Sequence, residues 1–140
     1  MLGRYRIIRG TRPSDEPLPE GIRQDTRKHT RHILRPTAEI VLPFLDDPSE
    51  AGFVAFRRAY LKLLAERFAS DRRPFAELAT LARDNDVLLG CNCPTSKQPD
   101  VWHCHTVLAL GFLSEHYPDL EVAWPPARAS SRSGGQRRRR

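Results

Sequence analysis

Val87-Leu88-Leu89-Gly90-Cys91 is the stretch that most restricts what this chain can fold into. It carries no charge and lies between Asp84-Asn85-Asp86 and Asn92-Cys93-Pro94. A short apolar run without alternation, bounded by turn residues, predicts a strand buried on both faces. A polar loop follows, and from Val101 to His116 the pattern is helical, with Val107, Leu108, Phe112 and Leu113 inward and Tyr117-Pro118-Asp119 as the stop. Leu120 to Trp124 reads as the next strand, closed by Pro125-Pro126. Residues 87–124 thus form a βαβ unit whose strands are parallel and adjacent, or nearly so. The expected class is α/β: a small three-layer fold with a short, mainly parallel sheet and this unit at its C-terminal end.

The remaining elements follow from period and punctuation. Arg4 to Arg9 reads as a strand closed by Gly10, and residues 11–22, with three prolines and a glycine, as a long loop. Thr37 caps a short helix, TAEIVLPFL, that Pro43 kinks or shortens. Ser49 is the expected N-cap of a longer helix. Phe53, Phe56, Tyr60, Leu64 and Phe68 recur along it at intervals of three and four as an apolar stripe. A second helix runs from Pro74 to Arg83, with Phe75, Leu78 and Leu81 on one face and Asn85 as its stop.

Charge divides the chain further. The formal net charge is +6, but residues 125–140 hold six arginines and no acid, so residues 1–124 carry 17 basic against 17 acidic groups. The expectation is one α/β domain over 1–124 and a disordered basic tail over 125–140. Within the domain, the basic excess lies in residues 1–40, with nine basic and five acidic groups. Arg23, Arg27, Lys28, Arg31 and Arg35 would make one cationic face if helical, and could track a phosphate backbone; a solvated surface is the other reading. Ile33 and Leu34 are expected to anchor this stretch to the core. The start of the chain has no apolar signal region, and the longest apolar run, Val107 to Leu113, is too short to span a bilayer. With three cysteines, an odd number, a reducing, cytoplasmic setting is expected, and no membrane partner.

The chemistry-bearing residues concentrate around the predicted strand end. Cys91 and Cys93 stand at its carboxyl end, and His103, Cys104 and His105 at the start of the following helix. In open parallel sheets this rim is where ligands bind. One reading is an anion or nucleotide-like site, with nucleic acid as a further partner class and with thiol chemistry. Cys104 is then the poised nucleophile at a helix N-terminus, His105 the proton carrier, and Cys91 and Cys93 the facing wall. Lys97 and His103 join the ligand site, and Arg6 and Arg9 reach it from the first strand. His29 and His32 are candidates for the same pocket, and Trp102 for a lid over the loop. The competing reading is a zinc-binding interaction module. Cys91, Cys93, Cys104 and His105 offer thiolate and imidazole ligands, and the basic segments bind nucleic acid. Against zinc stand the spacing, unlike that of zinc fingers, and the angle of about 100° between adjacent residues on a helix. Whether the rim catalyses a reaction stays open. No Walker A sequence, GxGxxG, HExxH or Gly-x-Ser-x-Gly is present.

At this motif the chain resembles two small bacterial families. VLLGC followed by HCHT is similar to domain of unknown function family 488, in which a buried strand ends in cysteine and Cys-His-Arg opens a helix; Thr106 stands here in the arginine's place. Cys91-Asn92-Cys93 with Cys104-His105 is similar to the Cys-Trp-Cys and Cys-His of family 4326. FRRAYLKLLAERF and FAELATLARDNDVLLGC also resemble family 488, so the likeness covers residues 53–113. It implies an α/β fold and a genuine site, and no particular activity.

Overall fold

The computed structural model describes residues 1–126, so the expectation for the arginine tail lies outside the described residues. Three parallel strands form the sheet: β1 (Leu2–Arg6), β2 (Ile22–Asp25) and β3 (Val87–Cys91), in the order β1-β3-β2. The VLLGC run takes the centre, where all five residues are buried. Pairing with β1 sets Leu2 opposite Val87 and Arg6 opposite Cys91; pairing with β2 sets Asp25 opposite Gly90. Because the strands are parallel, Arg6, Asp25 and Cys91 come to one edge of the sheet. Gly90 is required by packing: a Cβ there would lie 2.8 Å from side-chain atoms of both Tyr5 and Ile7.

Four α-helices complete the fold: α1 (Ala38–Asp46), α2 (Glu50–Ser70), α3 (Arg73–Asp84) and α4 (His105–His116). The layers are the sheet, α4 packed against β1 and β3, and α2 packed on α4, with α1 alongside α2. Leu2, Val87 and Leu89 from the sheet share one core with Tyr60, Leu64, Phe75, Leu78, Leu110 and Leu113. The stripe of α2 forms as its period requires: Phe53, Phe56, Tyr60 and Leu64 are buried, and Phe68 packs on the core partly exposed. The Ser49 hydroxyl accepts from the Gly52 N–H at 3.1 Å and starts the helix. In α3, Pro74 sits in the first turn and the Asn85 N–H bonds the Leu81 carbonyl at the end. Leu34 is fully buried, and the Tyr60 hydroxyl donates to its carbonyl at 2.6 Å, so the anchoring expected of Ile33-Leu34 is made by α2. No helix among the described residues is long and apolar enough to cross a membrane.

Four local expectations change. The first strand is Leu2–Arg6 rather than Arg4–Arg9, although the Ile7 N–H still reaches the Cys91 carbonyl at 2.9 Å. The basic segment is not one helical face. Its start is β2, because pairing with the free edge of β3 satisfies this backbone, and the Thr26 N–H extends that pairing to the Gly90 carbonyl at 3.0 Å. The strand expected at 120–124 contracts to a single parallel bridge between Val122 and Leu2, so β1 lies between it and β3. The last helix does not run continuously from Val101. A 3-10 turn over Val101–His103, capped by the Asp100 carboxylate on the Trp102 N–H at 2.9 Å, ends at Cys104. Cys104 has extended backbone, φ −77° and ψ 144°, and is the N-cap of α4.

Candidate metal centre

The extended conformation of Cys104 builds the site. As an N-cap it is not bound by helical spacing, so its side chain and that of His105 approach the same point, with Cys104 Sγ 4.0 Å from His105 Nδ1. Neighbouring side chains diverge by about 100° only inside a helix. Across from them, β3 ends in Cys91, and Cys93 follows in the loop. The sulfurs of Cys91, Cys93 and Cys104 lie within 4.8 Å of one another, and all three cysteines are free thiols. Cys104 is 2% exposed and Cys91 9%. This trio, with His105 beside it, can hold a metal ion.

His105 is oriented from behind. Its Nε2 lies 3.0 Å from the Thr26 carbonyl and 2.8 Å from the Thr26 hydroxyl. The Thr26 hydroxyl gives its own proton to the Gly90 carbonyl at 3.0 Å. Both Thr26 atoms therefore act as acceptors, and Nε2 must carry the hydrogen. Nδ1 is left facing Cys104, with a lone pair when the ring is neutral and a proton when it is charged.

The electrostatics polarise the cluster. Burial pushes the Cys104 thiol up, but hydrogen bonds from Cys91 and Cys93 and the facing His105 outweigh it and hold Cys104 well below the ordinary thiol range. Cys93 moves up, chiefly because its hydrogen bond to Cys104 favours its protonated form. Burial opposes charge on His105, yet the Cys104 thiolate raises it to about 10. The cluster collects negative charge on sulfur and keeps a nitrogen aimed at it.

Residues outside the predicted Cys/His site hold this arrangement. Arg4 donates Nε to the Thr106 hydroxyl at 2.8 Å and an Nη to the Cys93 carbonyl at 2.7 Å; Thr106 in turn donates to Cys104 Sγ at 3.1 Å. Strand alternation puts Arg4 on the same face as Leu2 and Arg6, a signal the sequence contained in the expected strand from Arg4. Thr26 left no such signal, since its role depends on β2 pairing with β3. Arg27 pairs with Asp25 at 2.7 Å and donates to the Asn92 side chain at 2.9 Å, pinning the loop between Cys91 and Cys93. That pairing, through its hydrogen bonds, holds the Asp25 carboxyl below its ordinary value.

A cavity of about 340 Å³ opens over the cluster. Cys91, Cys93, Cys104 and His105 form part of its lining; Pro36, Val41, Phe44, Leu45 and Phe56 make an apolar wall. Lys97, His103 and His29 also line it. His103 stacks on Phe53, ring centroids 4.1 Å apart, and its Nε2 stands 3.6 Å from carboxylates of Glu50 and Asp100. Arg6 turns aside to Glu16, at 2.8 Å, and to the Pro94 carbonyl at 3.3 Å; Arg9 is exposed and does not line the cavity. His32 sits outside the lining, bonded to Gln24 at 2.6 Å. Trp102 stacks on Trp124, donates to the Pro126 carbonyl at 2.8 Å and does not line the cavity.

Compared with known proteins, the chain matches no family model, no curated protein and no solved structure.

Proposed function

We propose that Cys91, Cys93, Cys104 and His105 bind one zinc ion, and that this centre frames a ligand site for a small anion in the cavity beside it. The observation that carries the metal is the Thr26–His105 contact. A metal-binding histidine donates its remote N–H to a carbonyl or carboxylate, which fixes the ring and leaves the other nitrogen for the metal. Sulfurs about 2.3 Å from a tetrahedral zinc are about 3.8 Å apart. The cluster reaches that geometry if its sulfurs, now within 4.8 Å, draw in by about 1 Å or less. Bound there, zinc would tie β3, the loop after it and α4 together. The likeness to family 488 is proposed on Cys91, Cys104 and His105, and that to family 4326 on all four residues.

A second reading, a reactive thiol without metal, is favoured by the low proton affinity of Cys104 beside His105. Against it, Cys104 is almost fully buried, whereas reactive cysteines are partly exposed. Elemental analysis of protein purified without a histidine tag separates the two. About one zinc per chain, lost in Cys104→Ser, supports the metal centre. Metal-free protein whose thermal stability ignores added zinc, with a thiol that alkylates at about pH 7, supports the thiol and overturns the metal.

A further inference from the structure

The cavity beside the cluster combines features that narrow its ligand, and the inference drawn from them deepens the proposal of an anion site. None of the residues lining it is Asp or Glu, while Arg27, Lys28 and Lys97 line it as cations. Arg27 is engaged by Asp25, but Lys28 and Lys97 make no ion pair among the described residues. Gln98, 7% exposed, lines the same cavity, and its side-chain Nε2 has no hydrogen-bond partner. A buried amide N–H without an acceptor is unfavourable, and an acceptor on a ligand relieves it. Part of the lining is apolar, with Phe44 and Phe56 stacked 5.0 Å apart and Leu45 exposed. A simple inorganic anion would use the cations and leave that part wet.

Zinc with three thiolates and an imidazole carries a net charge of −1, which works against an anion. The guanidinium of Arg4, bonded to the Cys93 carbonyl and Thr106, lies against the centre and offsets it, so Lys28 and Lys97 remain in excess. A ligand suited to this cavity is an anion joined to a flat, weakly polar ring. At about 340 Å³ the space is in the range of small-molecule sites. We infer that the cavity binds a nucleoside monophosphate, its phosphate at Lys28 and Lys97, its base against Val41, Phe44 and Leu45, and one of its acceptors on Gln98.

The test is calorimetric titration of the full chain with adenosine 5′-monophosphate, adenosine and inorganic phosphate, zinc content being measured on the same samples. The monophosphate should bind at least about tenfold tighter than either fragment. The double variant Lys28→Ala/Lys97→Ala should lose about tenfold or more of that affinity, and Gln98→Leu a smaller factor, with far-UV circular dichroism unchanged. Zinc-loaded protein that binds the monophosphate no better than phosphate overturns this inference and leaves the metal centre standing. Zinc-free protein that still binds it in the expected order overturns the metal and keeps the ligand. A short single-stranded oligonucleotide binding tighter than the monophosphate would place the site on nucleic acid and overturn the small-molecule assignment.

Discussion

His105 and Thr26 come from segments far apart in the chain, yet the imidazole Nε2–H of one is bonded to both the carbonyl and the hydroxyl of the other, at 3.0 and 2.8 Å. The pairing fixes the ring orientation and aims Nδ1 at the sulfurs. Removing the hydroxyl weakens that hold but leaves the carbonyl. Thr26→Val should lower zinc affinity by about tenfold, the range typical of partners behind a metal ligand, and Thr26→Ser should restore it. Competition with a chromophoric chelator measures both; equal affinity for wild type and Thr26→Val would sink the orientation argument.

Removing the metal should loosen the junction of β3, its loop and α4. With binding lost, the folded state should weaken by at least about 2 kcal/mol, which for a domain of this size lowers Tm by roughly 8 °C. Differential scanning calorimetry before and after chelation reads the change, and re-addition of zinc should reverse it.

His32 should make stability depend on acid. The Leu34 N–H donates to its Nδ1 at 3.1 Å, and Nε2–H donates to the Gln24 side chain at 2.6 Å, so the neutral ring is satisfied at both nitrogens. Burial, with repulsion from His105, lowers its pKa to about 4 from 6.5. A histidine depressed on folding favours the native state fully above its unfolded pKa. That contribution is lost as pH falls from 6.5 toward 4, the interval between the two values. The ring is partly exposed and solvent screens part of the effect, so the loss should be about 2 kcal/mol. Urea unfolding across this range should show a steeper decline for wild type than for His32→Gln; identical slopes would refute the assignment.

Tyr60→Phe should destabilise the protein by about 1–3 kcal/mol, because the buried Leu34 carbonyl loses the donor that meets it at 2.6 Å. Arg67 bonds the neighbouring carbonyls of Ile33 and Arg35, so the loss should stay local and leave the far-UV spectrum unchanged.

Gly52→Ala opposes a propensity rule. In a helix interior, alanine is normally favoured over glycine by about 1 kcal/mol. Here a Cβ would collide with the backbone carbonyl oxygen of Asp47, which cannot move as a flexible side chain would. The substitution should therefore lower Tm; a rise would show that the turn before α2 yields easily.

Several of these features were legible in the residues alone. The VLLGC run announced a strand buried on both faces, because it is short, uncharged, without alternation and bounded by turn residues. The stripe of α2 and the Pro74 and Asn85 ends of α3 were equally readable, each recorded by spacing within one element. Clustering in the sequence also pointed to the group the fold brings together, since Cys91, Cys93, Cys104 and His105 flank a strand end. Arg4, by contrast, was passed over for Arg6 and Arg9. Alternation puts Arg4 and Arg6 on one face, and the pairing of Arg6 with Glu16, which no spacing records, leaves Arg4 to face the cluster.

By itself, then, the sequence determined the α/β class, the core faces of its main helices and the stretch in which reactive side chains gather. Periodicity reports which side of one element meets the core, and that information is local. Only the tertiary structure decided that Cys104 leaves helical geometry, that Thr26 stands behind His105, and that α1 and the basic segment close a cavity over the sulfurs. Each of these depends on where separate elements end once packed. A shift of a few ångströms there changes a cluster able to hold a metal into scattered thiols without altering any pattern along the chain.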